Sequence, residues 1–543
     1  MRRRTVLGAA ALVLALVVQS PAPSAQRQAP RLVVLIVVDQ MRADYIDRFR
    51  GDWTGGLKRL VDQGAWFRRA AYPYLTTVTC AGHATISTGA FPHTHGIIQN
   101  AWWDRETGGP VTCTNDSAAT PVSYGGEATG ADSGHRLLVP TFADEMRAQR
   151  HAHVVTVSLK ARSAIMLAGH GSDATLWLSD ALDGWMSSSA FVDAPKPAVR
   201  AIIDRHPIDE DFGKTWTPLL DPSRYHERPD RTLGEGPPAG WTTALPHPLT
   251  SPSGRADGDY HTRWERSPYA DAYLGRFAAA LVDEFRLGRH DDPDVLGVSF
   301  SSPDLVGHAF GPDSVEIHDM YAQLDRTIGA LLDHLDAAVG RGAYVVALSA
   351  DHGVTPIPED AAADGRDAGR INSAAIRSVL EARAQAAAGA GQYLSAVAGN
   401  DVYFAPGMYE RLAAAPHGVE SALEGLLSVP GVGAAFRADE VRGAASSSNR
   451  LLRAAALSYV PGRSGDLIFS PKPGWVAISS GTTHGSASED DQRVPIVFYG
   501  AGIKHGAYES AATPADVTPT LASLVGLTLD HAEGHALRDA LQK

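Results

Sequence analysis

Apolar residues gather in short runs at Leu32 to Val38, Val295 to Phe300 and Tyr344 to Leu348, each followed by polar residues, with a glycine close behind the second and third. Runs of this length and valine content predict interior strands of a parallel sheet, covered on both faces. Val154 to Val157 reads as a shorter strand of the same kind. Between 318 and 335 the period changes. Met320, Leu324, Ile328, Leu331 and Leu332 recur at helical spacing, which predicts a helix packed on the core rather than a partner surface. The pattern indicates the α/β class, with a mostly parallel central sheet flanked by helices.

What ends these runs suggests chemistry. The first stops at Asp39, the second leads to Asp304 and His308, the third to the adjacent pair Asp351 and His352, and His484 lies further along. Ligands of open α/β sheets bind beyond the carboxyl ends of the strands, so these residues can share one crevice. A single Asp after a strand is usually a helix cap or turn residue, and Asp39 alone would mean little. Together the residues indicate a two-metal hydrolytic site. Asp304 and His308 stand one helical turn apart and can face one ion, whereas Asp351 and His352 need a tight turn to converge. Carboxylate and imidazole without thiolate favour zinc over calcium or magnesium and leave manganese and iron open.

At 543 residues, 44% hydrophobic and 20% charged, the chain is globular in composition. Its start reads as a secretory signal covering about 1–25. Arg2, Arg3 and Arg4 precede an apolar run from Val6 to Val18, and small residues follow at Ala22, Ser24 and Ala25. The run is short for a membrane span, and no cysteine lies near the cleavage region, so a periplasmic or secreted protein without a stable membrane anchor is expected. Both the general and the twin-arginine export routes fit. Without the three leader arginines the formal charge moves from −13 to −16. So acidic a chain is a poor general binder of nucleic acid, and an anionic substrate must be held by local cations. Oligomeric state is not legible. Two long stretches, about 175–285 and about 370–475, read as insertions into one domain spanning 26–543; Val402 to Phe404 and Asp466 to Phe469 look like strands within the second. Cys80 and Cys113, the only cysteines, can form one disulfide in an oxidising compartment or remain two free thiols.

The segment from Thr76 to Asn100 adds a nucleophile. At Thr79 a polar loop turns into a helix beginning around Ala81, which would place the hydroxyl at a helix N-terminus, where free N–H groups hold phosphoryl oxygens. A threonine hydroxyl needs an activator, and the metal site offers one. Without the ligand set, Thr79 would be a helix cap. His83, His93 and His95 nearby are read as turn or core residues, and Trp102 and Trp103 as buried rather than lining a substrate approach.

These blocks resemble the alkaline phosphatase superfamily, in particular the PafA-type single-threonine phosphatases, relatives of the nucleotide pyrophosphatase/phosphodiesterases. The resemblance is carried by Val-Val-Asp39, Thr79-Cys-Ala-Gly-His83, His95-Gly-Ile-Ile-Gln-Asn100, Lys160-Ala-Arg162, Asp304-Leu-Val-Gly-His308, Asp351-His352-Gly and Thr-Thr-His484-Gly, which follow the family order across nearly the whole mature chain. It implies an alkaline-phosphatase-like fold and two zinc ions per chain, about 4 Å apart. Asp304, His308 and His484 would hold one; Asp39, Asp351, His352 and the Thr79 oxygen would hold the other. It further implies a phosphothreonine at Thr79, with Asn100 and the Thr79 N–H donating to phosphoryl oxygens.

Lys160 and Arg162 bear on the ester. As alternate residues of an extended segment their cationic heads would reach the same side, matching the greater charge of a phosphate monoester. The other reading is a solvated pair on an exposed strand. Ala161 departs from relatives that often carry an acid between the two cations. A phosphomonoesterase acting on small phosphate esters is therefore expected, with a phosphodiesterase or nucleotide pyrophosphatase as the alternative. A non-catalytic metal- or phosphate-binding protein would have lost part of the ligand set, which is complete. A sulfatase reading of Cys80 fails because Gly82 and Ala84 stand where its maturation motif requires Pro and Arg.

Overall fold

The structure is a computed structural model and describes residues 29–127, 130–226 and 233–542. The expected signal segment lies outside the described residues.

Fourteen strands position the site. They are β1 (Leu32–Val38), β2 (Ala65–Ala70), β3 (Pro121–Ser123), β4 (Val154–Ser158), β5 (Ala174–Leu178), β6 (Trp185–Ser188), β7 (Asp294–Phe300), β8 (Tyr344–Ser349), β9 (Leu394–Ala398), β10 (Asp401–Phe404), β11 (Val432–Arg437), β12 (Leu467–Pro471), β13 (Ile496–Gly500) and β14 (Gly506–Ala512). Ten of them form one sheet in the order β14-β2-β13-β8-β1-β7-β4-β5-β6-β3. Its centre, β8-β1-β7-β4-β5, is parallel throughout. Antiparallel β13 joins β8 on one side, and antiparallel β6 joins β5 on the other.

Strand β1 shows why a continuous apolar run is needed here. Leu32, Val34, Ile36 and Val38 point into one buried cluster, while Val33, Leu35 and Val37 point into another on the opposite face. Alternation along a strand sends successive side chains to opposite faces, so a strand covered on both must be apolar at every position. The helices that matter for the site are α1 (Thr79–Thr88), α2 (Ala161–Ala168), α3 (Gly258–Glu265), α4 (Pro268–Glu284), α5 (Ser302–Phe310) and α6 (Val315–Leu335). Helix α6 lays Met320, Leu324, Ile328, Leu331 and Leu332 on the first face, as the spacing predicts.

The two long stretches differ from each other. The stretch at about 175–285 begins and ends inside the core: β5 and β6 are strands of the central sheet, and α4 packs on α6. Its expected boundaries therefore need correction. Ala174–Leu178 and Trp185–Ser188 are short, and tryptophan rather than a valine run fills them, so the pattern did not mark them as sheet. The stretch at about 370–475 carries its own four-stranded antiparallel sheet, β9-β10-β12-β11, over a separate cluster that includes Leu380, Leu394, Val402, Phe404, Leu467 and Phe469. Among the described residues no helix is long and apolar enough to cross a membrane.

Leu332 is fully buried in the principal cluster. Leu332→Ala is expected to lower the unfolding free energy by about 2–5 kcal/mol, read from urea denaturation, and a change near zero would place that helix outside the cooperative core.

Candidate active site

Four neighbouring parallel strands end level. Val38 pairs with Phe300, Val37 with Ser349 and Ser299 with Ser158, so β1, β7, β8 and β4 release their chains at one edge. The residues that follow are Asp39 after β1, Asp304 and His308 on α5 after β7, Asp351 and His352 after β8, and Lys160 after β4. The Asp39 N–H continues the ladder to the Phe300 carbonyl at 3.0 Å, which fixes where its carboxylate emerges. His484 arrives on the loop before β13.

The structure brings these side chains into two overlapping groups. Ligand atoms of Asp39, Asp351 and His352 lie within 4.8 Å of one another, as do those of Asp304, His352 and His484. His308 Nε2 is 3.1 Å from Asp304 Oδ1. His352 thus stands between the groups, its ring stacked on His484 with centroids 3.4 Å apart.

Each of the three histidines is held in the same way. His308 Nδ1 donates to the Thr482 carbonyl at 2.7 Å, His352 Nδ1 to the Gly353 carbonyl at 2.9 Å and His484 Nδ1 to the Thr77 carbonyl at 2.8 Å. A carbonyl can only accept, so Nδ1 carries the hydrogen and the Nε2 lone pair faces the site, the arrangement of a metal-ligating imidazole. The carboxylates point the same way. Asp39, Asp304 and Asp351 are buried together, and Asp39 Oδ1 and Asp351 Oδ2 have no hydrogen-bond donor among the described residues. Buried anionic oxygens without donors call for cations. Burial raises the Asp39 carboxyl well above the usual range, with Asp304 and Asp351 adding to it. Burial also opposes ionisation of Asp304 and Asp351, but His308 and Lys160 hold the first below its ordinary value, and His352 and His83 hold down the second. The donor set fits divalent metal ions.

Thr79 is the first residue of α1, slightly earlier than the expected start near Ala81, and Val78 before it supplies no side-chain cap. Its Oγ1 lies 3.4 Å from His352 Nε2. Gly82 one turn on lets the helix approach the Asp351 turn, since a Cβ there would stand 2.1 Å from the Asp351 carbonyl oxygen. Asn100 reaches α1 from the next loop, its Oδ1 accepting from the Cys80 N–H at 2.8 Å. The amide NH2 of Asn100 is therefore turned away from that bond. Cys80 and Cys113 form a disulfide.

Lys160 and Arg162 are arranged differently from the extended segment expected. Strand β4 stops at Ser158, Lys160 caps α2 and Arg162 lies in its first turn. Lys160 Nζ bridges Asp39 Oδ2 at 2.7 Å and Asp304 Oδ2 at 2.5 Å. Burial opposes the charge on this ammonium, yet the two carboxylates raise its pKa. Arg162 Nε is buried and has no hydrogen-bond partner among the described residues. Glu265, the last residue of α3, pairs with Arg266 and feels both Lys160 and Arg162, although burial outweighs them and raises its pKa. A remote carboxylate thus borders the two cations, where Ala161 between them brings none.

Other contacts were not legible in the sequence. Gln40 donates from Nε2 to Asp304 Oδ1 at 2.6 Å and from its N–H to Asp351 Oδ1 at 3.1 Å, with a left-handed φ of 69°. His83 is buried, in keeping with a core role, but its Nδ1 donates to the Thr79 carbonyl at 2.8 Å and lies 3.2 Å from Asp351 Oδ2. The one available signal was proximity: Gln40 adjoins Asp39, and His83 follows Thr79 by one helical turn. His95 is buried against Thr85 and His93 pairs with Glu533. Trp102 is buried and Trp103 partly so.

Together the sheet and its strand-end cluster are those of an alkaline-phosphatase-like α/β hydrolase. Residues 33–493 match the type I phosphodiesterase / nucleotide pyrophosphatase family, and the chain belongs to it. It is similar to the alkaline phosphatase PhoK of a Sphingomonas species, with 34% identity over 533 residues, 94% of this chain and 91% of that protein. It is likewise similar to the alkaline phosphatase PafA of Elizabethkingia meningoseptica, with 30% identity over 511 residues and 91% of each chain. The crystal structure of wild-type PafA superposes with a TM-score of 0.85 at 28% identity, over 95% of this chain and 99% of that one.

Asp271 of α4 anchors the helix that carries Asp304 and His308, its Oδ1 accepting from the Ser302 hydroxyl at 3.1 Å. Burial raises this carboxyl to about 7, against the lowering effect of the Ser302 bonds. An unfolded Asp titrates near about 3.9, so the folded chain binds this proton more tightly. The group's contribution to stability is full below that value and is lost as pH rises through the folded pKa. Asp271→Asn keeps the acceptor oxygen and removes the titration. Urea unfolding at stepped pH is expected to show a flatter fall in stability between the two pKa values, with the variant gaining on the wild type above neutrality; an unchanged slope refutes the assignment.

Proposed function

We propose that this protein is an exported zinc-dependent phosphomonoesterase that hydrolyses small phosphate esters through a phosphothreonine at Thr79. The observation that carries the reading is the Thr79 hydroxyl at an uncapped helix N-terminus, 3.4 Å from His352 Nε2, beside a cluster of three carboxylates and two imidazoles that His308 joins through Asp304. Similarity to PhoK and PafA, both alkaline phosphatases, supports it.

In this reading Asp304, His308 and His484 hold one zinc, while Asp39, Asp351 and His352, together with the Thr79 oxygen, hold the other. When bound, the two ions supply charge that lowers the pKa of the Thr79 hydroxyl and neutralises the leaving oxygen. The chain's own groups do the rest. The Thr79 hydroxyl gives up its proton as Oγ1 attacks phosphorus in line with the ester oxygen, the bond to the leaving group breaks, and the departing oxygen takes up a proton in turn. Water then attacks the phosphothreonine from the vacated side and gives up a proton, the bond to Thr79 breaks, Oγ1 is reprotonated, and inorganic phosphate leaves. The Asn100 amide and the Thr79 N–H donate to non-bridging oxygens as charge shifts during transfer. With one Asn100 oxygen already committed to Cys80, the amide donors are aimed rather than free to flip.

Monoester preference rests on Lys160 and Arg162. A monoester carries one more ionisable oxygen than a diester, and a forked guanidinium with a neighbouring ammonium matches it. Arg162, whose buried Nε has no hydrogen-bond partner among the described residues, is the more available of the two. The phosphodiesterase reading is favoured by the name of the matched family. Export rests on the leader-like start of the chain.

Thr79→Ala is expected to lower kcat on a phosphate monoester about a thousandfold or more, and metal analysis of the wild type should find two zinc ions per chain. Full turnover in that variant, or far fewer than two ions in fully active enzyme, overturns the mechanism. Separately, Lys160→Ala and Arg162→Ala should each reduce kcat/KM on the monoester about a hundredfold and affect its methyl diester much less. A strong diester preference that survives both substitutions would instead identify a phosphodiesterase.

A further inference from the structure

Asn100 is held at two points, and the two holding groups are themselves joined. Its side-chain Oδ1 accepts from the Cys80 N–H at 2.8 Å, and its backbone carbonyl accepts from the Cys113 N–H at 2.9 Å. Cys80 and Cys113 are the chain's only cysteines, they are bonded to each other, and both are fully buried. Two hydrogen bonds and one covalent bond therefore close a ring that passes through Asn100. Cys80 immediately follows Thr79, so the ring is attached directly to the nucleophile.

The elements on either side explain what the bond adds. Asn100 begins a hairpin in which Ala101–Asp104 pairs with Gly109–Thr112, and the Asn100 to Cys113 bond extends that ladder by one residue. Four ladder pairs make a small two-stranded ribbon whose strands bury Trp102 alone, a lighter anchor than a helix buried throughout. Helix α1, by contrast, is buried along its whole length. The disulfide ties the weak element to the strong one at the point where the amide must be aimed.

We propose that the Cys80–Cys113 disulfide is a positioning element for catalysis, fixing the Asn100 amide relative to Thr79. This inference rests on the donor role assigned to Asn100 above. Packing alone does not require the bond: the two cysteines share one buried cluster with Ala84, Ile97, Ile98, Trp102, Ile165 and Met166, apolar residues that a pair of small side chains would leave in place. What their separation removes is the tether. A small displacement of a transition-state donor is costly to rate, while substrate binding through Lys160 and Arg162 is left in place.

The test is a double-mutant cycle on the full-length, zinc-loaded enzyme with 4-nitrophenyl phosphate as substrate. Cys80→Ala/Cys113→Ala is compared with the wild type, and the same pair is then introduced beside Asn100→Ala, with zinc content and circular dichroism measured on every protein. Loss of the disulfide is expected to lower kcat about tenfold with little change in KM and unchanged zinc content, and to cost almost nothing further once Asn100 is alanine. An equal loss in both backgrounds, a loss that follows zinc content, or no loss at all overturns the positioning role. If the alanine pair does not fold, Cys80→Ser/Cys113→Ser carries the same comparison. Asn100→Ala without effect on kcat would remove the donor role and the tether together, whereas an Asn100 effect independent of the disulfide removes the tether alone.

Discussion

Three carboxylates are buried within one site, and everything around them serves to make that tolerable. Asp39, Asp304 and Asp351 emerge beside one another because β1, β7 and β8 are adjacent, parallel and level. Like charges so placed repel, and burial adds a desolvation cost that only cations or donors can offset. Lys160 meets part of that demand from the turn between β4 and α2. The oxygens that remain without donors define where divalent ions fit.

Around this charge the backbone acts as the aligning device. Three peptide carbonyls, at Thr482, Gly353 and Thr77, orient three imidazoles through bonds that no side-chain motif encodes. Gln40 and His83 form a second ring of contacts. They join the strand-end carboxylates to one another and to the Thr79 carbonyl, so the strand-end cluster and α1 are one mechanical unit. The close approach at Gly82 serves the same end.

The central strands were legible because their burial on two faces forces a continuous apolar run, a pattern few other structures produce. Strands β5 and β6 at the side of the sheet were not, since short tryptophan-containing segments read equally well as loop. The carboxylates and imidazoles that gather at the strand ends could be named because each follows a recognisable run or belongs to a motif. The arrangement of Lys160 and Arg162 could not, because an extended segment and a strand-to-helix turn place the same two residues in very different directions. Glu265 gave no local signal at all. It is 105 positions from Lys160 in sequence and meets it only because the chain between α3 and the sheet folds back.

The sequence by itself determined the class of fold, the chemical types gathered at the strand ends, and the order in which they appear. Those follow from local rules, hydrophobic periodicity and residue chemistry, which act over a few positions. Tertiary structure alone decided which imidazole nitrogen faces the site, which carboxylate oxygens lack partners, how Asn100 is aimed, and that Cys80 bonds to Cys113. Each of these depends on contacts between segments far apart in the chain, whose distances are set by packing of the whole sheet and its covering helices rather than by any stretch of residues.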